Sequence, residues 1–266
     1  MAMKIATWNV NSIKARKPRI LDWFDEARPD VAVLQEIKCI DENFPAADFE
    51  ERGYSVHVHG QKTYNGVALL SRSPVEDVIR GVPGLEDDQA RYIEGTVFPE
   101  DGEPVRVGGL YMPNGNPAPG PKFDYKLAFI DALTAHMEEL MTSEEAFVIA
   151  GDYNIIPDAS GVYDPQGWKD DALFRPESRA AFRRMLNLGL TNAVPVLIHE
   201  PYYTFWDYQG GAWKKNHGLQ IDHLLLSPEA ADRLAEAGID EDARDPEKGS
   251  GKAKPSDHVP VWITLE

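Results

Sequence analysis

The sequence predicts an α/β (α+β) chain built on two mixed β-sheets packed face to face, with helices covering the outer faces. Three observations carry that expectation. Apolar runs rich in β-branched residues and bounded by turn residues recur along the 266 residues, helical periodicity fits between several of them, and the middle runs follow one another at hairpin spacing. Strands and helices mixed in this way suit neither an all-parallel sheet nor a barrel.

In chain order the strand-like runs are Lys4 to Val10, Val31 to Gln35, Gly66 to Ser71, Tyr92 to Phe98, Val105 to Tyr111, Ala146 to Ala150, Tyr203 to Tyr208, Leu219 to Leu226 and Val259 to Leu265. The first helix is expected from Pro18 to Ala27, opened by proline, with Ile20, Leu21, Phe24 and Ala27 on one face. A second runs from Asp124 to Met141 with Leu127, Ile130, Leu133, Met137 and Leu140 aligned, and a shorter third from Arg179 to Leu188. The loop Pro113 to Lys122 is stiffened by four prolines, Pro113, Pro117, Pro119 and Pro121. No repeat and no Gly/Ser linker divides the chain, and motifs from both ends must meet, so residues 1–266 read as a single domain.

Composition narrows the class. A hydrophobic share of 42% with 27% charged residues is that of a globular protein, and no window of about 18 apolar residues could span a bilayer, so no membrane partner is expected. The start Met1-Ala2-Met3-Lys4-Ile5-Ala6 enters a strand pattern at once, without a secretory signal, which predicts a cytoplasmic protein. The single cysteine, Cys39, excludes an internal disulfide and a cysteine-built zinc site, and with no base nearby it reads as inert.

The charge balance of 27 basic against 44 acidic residues gives −17, which argues mildly against a polyanionic substrate. Local distribution can overrule it. Lys14, Arg16, Lys17 and Arg19 follow the first strand, Lys214 and Lys215 sit in a loop, and Lys248, Lys252 and Lys254 precede Ser256-Asp257-His258. These clusters read either as a phosphate-binding footprint or as solvated faces.

Short acid- or amide-bearing turns abut the strand-like runs: Asn9 after Ile5-Ala6-Thr7-Trp8, Gln35-Glu36, Gly151-Asp152-Tyr153-Asn154, Ile221-Asp222-His223 and Ser256-Asp257-His258. One alone is an ordinary turn signal; five in one chain suggest an assembled metal-phosphate site. Hard divalent cations take oxygen ligands and keep positions for water and phosphate, which suits Glu36 and Asn9 at strand ends. Phosphodiester hydrolysis further needs an oriented water and positive charge on the phosphoryl oxygens, types that Asp152, Asn154 and His258 supply. Asp222 with His258 reads as an orienting dyad, and no serine sits in a Gly-x-Ser-x-Gly elbow to make it a serine hydrolase.

At these residues the chain resembles the exonuclease III family of abasic-site endonucleases, within the endonuclease/exonuclease/phosphatase superfamily. The resemblance rests on Thr7-Trp8-Asn9-Val10-Asn11, Leu34-Gln35-Glu36-Ile37-Lys38, Tyr111-Met112-Pro113-Asn114-Gly115, Gly151-Asp152-Tyr153-Asn154, Gly218-Leu219-Gln220-Ile221-Asp222 and Ser256-Asp257-His258-Val259-Pro260-Val261. It implies a four-layer sandwich and a DNA-repair nuclease dependent on Mg²⁺, with Mn²⁺ as a substitute. That enzyme would cut 5′ of abasic sites in double-stranded DNA and act as a 3′ to 5′ exonuclease or cleaner of 3′ ends, as a monomer.

Residue by residue, the resemblance implies Glu36 as principal metal ligand, with Asn9, Asn11 and Asp257 close to the metal. Asp152 would activate or orient the attacking water, Asn154 would hold that water or the phosphate, Tyr111 would contact phosphate, and His258, charged through Asp222, would stabilise developing negative charge. It also implies DNA contacts by Lys38 and Asn114, beside the cluster residues Lys14, Arg16, Lys214 and Lys215 and the loop residue Trp213, expected to be exposed. Phe205 and Leu219 would form the abasic pocket; with Trp206 they read equally well as core packing. Gln220 departs from the basic residue that often precedes the Ile-Asp pair. The alternative within the superfamily is a phosphatase or phosphodiesterase acting on a small or lipid phosphate.

Overall fold

The computed structural model describes residues 2–249 and 253–266, so Lys252 of the third basic cluster lies outside the described residues. The first sheet contains β1 (Met3–Asn9), β2 (Val31–Gln35), β3 (Ser55–His59), β4 (Val67–Ser71), β11 (Leu234–Ile239) and β12 (Val261–Leu265), in the spatial order β11-β12-β1-β2-β4-β3. The second contains β5 (Val75–Arg80), β6 (Tyr92–Val97), β7 (Val105–Tyr111), β8 (Phe147–Asp152), β9 (Thr191–Asn192) and β10 (Asp222–Leu226), in the order β5-β6-β7-β8-β10-β9. The helices are α1 (Ile13–Ala27), α2 (Ala46–Glu50), α3 (Pro121–Met141), α4 (Pro176–Asn187), α5 (Ala193–Leu197), α6 (Ala212–Lys215) and α7 (Pro228–Ala231).

Both sheets are mixed for a local reason. The parallel pairs are β1 with β2 and β7 with β8, and each is bridged by a crossover helix, α1 and α3 respectively. Strand alternation then sorts side chains into layers. Ile5, Val31, Val33 and Val261 of one sheet meet Val107, Val148, Ala150 and Leu224 of the other in a central core. The opposite faces carry Ala6, Trp8 and Leu34 against Ile20, Trp23 and Phe24 of α1, and Tyr92, Leu110 and Ile149 against Phe129, Leu133 and Phe182 of α3 and α4. Two helical layers thus enclose two sheets, the four-layer arrangement expected.

Some boundaries differ. Helix α1 starts at Ile13, because the Ser12 hydroxyl accepts from Ala15 N at 3.3 Å and caps it, and Pro18 lies inside the helix instead of opening it. The Tyr203 to Tyr208 run forms no strand: Phe205 pairs singly with Leu219 and with His258 as the segment crosses beneath the end of the sandwich. Among the described residues no helix is long and apolar enough to cross a membrane.

The same alternation builds the site. Asn9 continues the inward face of Ile5, Asp152 that of Val148 and Ala150, and Asp222 that of Leu224 and Leu226. At one end of the sandwich the central core therefore turns polar, and Asp222 lies opposite Asp152 in the β10–β8 register.

Candidate active site

Asn9 ties the two sheets together. Its fully buried Nδ2 donates to Glu36 Oε1 at 2.9 Å and to Asp152 Oδ2 at 3.0 Å, so one amide bridges two carboxylates from different layers. Glu36 follows β2 in the left-handed region, φ 51°, and Lys38 repeats this at φ 53°. A non-glycine residue held there is strained, and the strain turns the Glu36 carboxylate into the cleft. Burial pushes Glu36 up, but the Lys38 ammonium at 2.9 Å and the Asn9 amide outweigh it and hold the pKa below the ordinary value.

Asp152 accepts from Asn9 and, through Oδ1, from Asn154 N at 2.9 Å. Burial pushes its carboxyl up to about 7, against the pull of the His258 charge. His258 lies between two acids: Nδ1 donates to Asp222 Oδ2 at 2.9 Å, and Nε2 stands 3.7 Å from Asp152 Oδ2. Burial alone would lower this imidazole, but Asp222 and Asp152 raise it to about 10, so the ring is a cation at neutral pH. Burial, with Glu36 and Asp152 nearby, pushes the Tyr111 phenol well above its ordinary value, leaving it a proton donor.

Remaining contacts fix these groups in place. Thr204 Oγ1 donates to Asp222 Oδ2 at 2.6 Å, a third member of the dyad that the sequence reading missed. Ser256 Oγ donates to Asn9 O at 2.6 Å and accepts from His258 N at 3.2 Å, stapling the C-terminal motif to β1. Asn11 Nδ2 donates to Asp257 Oδ1 at 3.0 Å, and Asn114 Nδ2 to Asn154 Oδ1 at 3.2 Å. A cleft of about 230 Å³ is lined by Glu36, Tyr111, Asn114, Asp152, Asn154, Phe205, Leu219, Asp257 and His258. Asn116, Asp207 and Ile221 line it too, with Trp168, Asp171 and Leu173, which come from a loop whose sequence carried no signal of a site.

The basic residues divide. Lys38 lies within the cluster, donating to Asn11 Oδ1 at 2.5 Å besides Glu36. Lys17 is paired with Asp48, Lys248 with Asp242, and Arg19 is buried with its guanidinium spent on the carbonyls of Asp245, Pro246 and Ala253. Lys14, Lys214, Lys215 and Lys254 are exposed, and the half-buried Arg16 donates to Tyr208 at 3.0 Å. Trp213, expected to be open, is half-buried edge-on against Trp206 at 5.0 Å, and Trp206 is a core residue at 1% exposure. Their mutual packing accounts for both.

Two oxygen-bearing groups could hold a metal ion. Ligand atoms of Asp152, Asp222 and His258 lie within 4.8 Å of one another, yet an imidazolium has no lone pair to give. The Glu36 side suits a hard cation better, because the Lys38 ammonium already sits between Glu36 Oε2 and Asn11 Oδ1 as a cation would.

A model of the endonuclease/exonuclease/phosphatase family matches residues 6–258. The chain belongs to that family. The family enzyme is 34% identical to exodeoxyribonuclease III of Haemophilus influenzae, over 99% of this chain and 100% of that one. Among solved structures it is similar to a 3′ phosphatase from Neisseria bound to product DNA hairpin, with TM-score 0.91 and 38% identity over 99% of each chain. It is also similar to an AP endonuclease from Archaeoglobus fulgidus, with TM-score 0.91, 32% identity and 99% of each chain covered.

Proposed function

We propose that the protein is a Mg²⁺-dependent DNA-repair nuclease of the exodeoxyribonuclease III kind. It hydrolyses the phosphodiester 5′ of abasic sites in duplex DNA and removes nucleotides or blocking groups from 3′ ends. The observation that carries this is the Asn9 amide joining Glu36 to Asp152, with charged His258 on the far side of Asp152. An anion-binding group, a base and a cation site thereby converge on one small cleft.

Glu36 would hold the metal, with Asn9, Asn11 and Asp257 beside it, and the ion supplies Lewis-acid charge on a phosphoryl oxygen when bound. Asp152, with its carboxyl near 7, takes the proton of the attacking water close to neutrality. The water oxygen forms its bond to phosphorus as the bond to O3′ breaks, the departing O3′ takes a proton from solvent, and charge builds on the phosphoryl oxygens in between. His258 stabilises that charge as a cation and Tyr111 as a phenolic donor, while Asn154 and Asn114 orient the phosphate.

Support for DNA over a small phosphate lies beside the cleft. A second cavity of about 530 Å³ shares Asp207 with it and is lined by Arg16, Tyr208, Trp213, Lys214, Arg244 and Lys254. Cations around aromatic rings suit a phosphate backbone and its bases. Phe205 and Leu219 on the cleft wall would receive a sugar that carries no base. The relatives' names, an exodeoxyribonuclease, a DNA-bound 3′ phosphatase and an AP endonuclease, support the same reading. We take the enzyme to act in the cytoplasm as a monomer of one domain.

The test is a labelled duplex carrying one abasic analogue, incubated with enzyme and Mg²⁺ beside an undamaged duplex, a 3′-phosphate duplex and small phosphomonoesters. Incision 5′ of the lesion is expected, with 3′ shortening or dephosphorylation measuring the end-directed activities. Turnover of the small esters with every duplex untouched would overturn the proposal.

A further inference from the structure

We infer that Lys126 is a positioning residue for the cleft, locking together the three loops that carry Asn114, Asn154 and the Asp171–Leu173 wall; this rests on the nuclease reading above. Lys126 projects from α3 and is fully buried, which a lysine rarely is unless its charge is met. It is met by main chain. Nζ donates to Asn154 O at 2.5 Å, Asn114 O at 3.1 Å and Ala172 O at 3.4 Å, which uses all three ammonium protons.

Each carbonyl belongs to a segment that walls the cleft. Asn114 and Asn154 line it and are joined by their side-chain amides, and Ala172 stands between Asp171 and Leu173, which also line it. Asn116 Nδ2 reaches Asp171 at 3.1 Å from the same loop as Asn114. Loop and lysine are fitted closely: Gly115 has φ 91°, and a Cβ there would come within 2.7 Å of Lys126 Cδ. Asn154 is itself left-handed, φ 47°, so the Lys126 bond to its carbonyl helps hold a conformation that an asparagine would otherwise leave.

An apolar side chain could fill the same volume, but the carbonyls of Asn114 and Asn154 would then lack this donor, Ala172 O would keep only the Ser178 hydroxyl at 2.6 Å, and the loops would part. Burial pulls Lys126 down to about 7, while the charges of Asp152 and Asp171 hold it up. The metal-side residues Glu36, Asn9 and Asp257 make none of the three contacts, which separates positioning from collapse of the whole site.

The experiment compares full-length wild type with Lys126→Met, Lys126→Gln and Lys126→Arg. It measures kcat and KM on the abasic duplex, calorimetric Mg²⁺ affinity, and the side-chain amide NMR signals of Asn114 and Asn154. Lys126→Met is expected to lose about 100-fold in kcat with Mg²⁺ affinity unchanged, because a displacement of about 1 Å in the positioning groups costs that much. Both amide signals should shift, and Lys126→Arg, which keeps the charge, should recover about tenfold over Lys126→Met. A folded Met or Gln variant within about twofold of wild-type kcat, with unshifted amides, would overturn the inference. So would Mg²⁺ affinity falling in step with kcat. Should Lys126→Met not fold, Lys126→Gln, which can still donate to two carbonyls, decides by the same readings. If wild type leaves the abasic duplex uncut, the proposed function fails, while the amide signals still report on the lock.

Discussion

Replacing Asp222 by asparagine isolates the electrostatic part of the mechanism, because the substitution keeps the shape of the side chain and removes its charge. Raising an imidazole from 6.5 to about 10 is worth about 5 kcal/mol in favour of the charged ring, at about 1.36 kcal/mol per tenfold. Two carboxylates supply it unequally. Asp222 meets His258 Nδ1 at 2.9 and 3.2 Å, whereas Asp152 stands 3.7 Å from Nε2. Assigning the larger part, about 3 kcal/mol, to Asp222 brings the variant's imidazole to about 8 or lower, since burial still pulls it down.

The assay is the pH dependence of kcat/KM on abasic duplex at saturating Mg²⁺, alongside an NMR titration of His258. Wild type should hold its activity until the ring deprotonates near about 10, and Asp222→Asn should lose it around about 8. The sign for stability is the same. A folded pKa above the unfolded value contributes stability that is complete below about 6.5 and lost as pH rises through about 10. The Tm difference between wild type and variant should therefore be greatest in mild acid and shrink as pH rises. An alkaline limb at the same pH in both proteins would refute the role given to the dyad.

Glu36→Gln should weaken calorimetric Mg²⁺ binding and cost about 100-fold or more in rate with the fold intact. Ser256→Ala removes the hydroxyl that bonds both Asn9 O and His258 N, and should lower unfolding free energy by about 1–3 kcal/mol in a denaturant titration. The double variant Lys214→Ala/Lys215→Ala should reduce the slope of log affinity against log salt by about 2, at about 0.9 per phosphate contact, while kcat at saturating DNA stays unchanged.

The legible strands and the missed ones differ in where they sit. Val31–Gln35 and Val105–Tyr111 were readable to the residue, because central strands are covered on both faces and their sequences are almost wholly apolar. The strands left unread are β3, β5, β9 and β11, the four sheet edges. An edge needs little apolar surface: β5 reads Val-Glu-Asp-Val-Ile-Arg and bulges between Glu76 and Ile79, while β11 reads Leu-Ala-Glu-Ala-Gly-Ile, composed largely of helix formers. Pairing with β12 decides the latter, as Gly238 leaves room where a Cβ would lie 2.3 Å from the Trp262 ring.

The site divides in a similar way. Asn9, Glu36, Asp152, Asp222 and His258 could be found because each abuts or lies within an apolar run, a local pattern. Thr204 and Lys126 could not, since the partner of the first lies 18 residues away and those of the second 12, 28 and 46, and Trp168 belongs to a loop without a pattern. Lys126 falls within a helical stripe and looked like any polar residue of an amphipathic helix. Only the fold shows that three carbonyls converge on it.

The charge of −17 is reconciled with a polyanionic substrate by placement. A cavity of about 640 Å³ lined by Asp22, Glu26, Asp240, Glu241 and Asp242, with Lys4, Arg19 and Lys248, runs along the α1 face of the first sheet from Lys4 to Trp8. Asn9 follows Trp8 but faces the other side of that sheet, toward the central core and the cleft. On the cleft side Arg16, Lys214 and Lys254 border the neighbouring cavity, while Lys17, Arg19 and Lys248 are engaged within the protein and Arg244 is buried on the carbonyls of Trp206 and Asp207. A polyanion approaching the acidic face is repelled, and one at the cleft meets cations. Net charge thus limits non-specific binding, and the few unpaired cations beside the cleft decide where a phosphate backbone can settle.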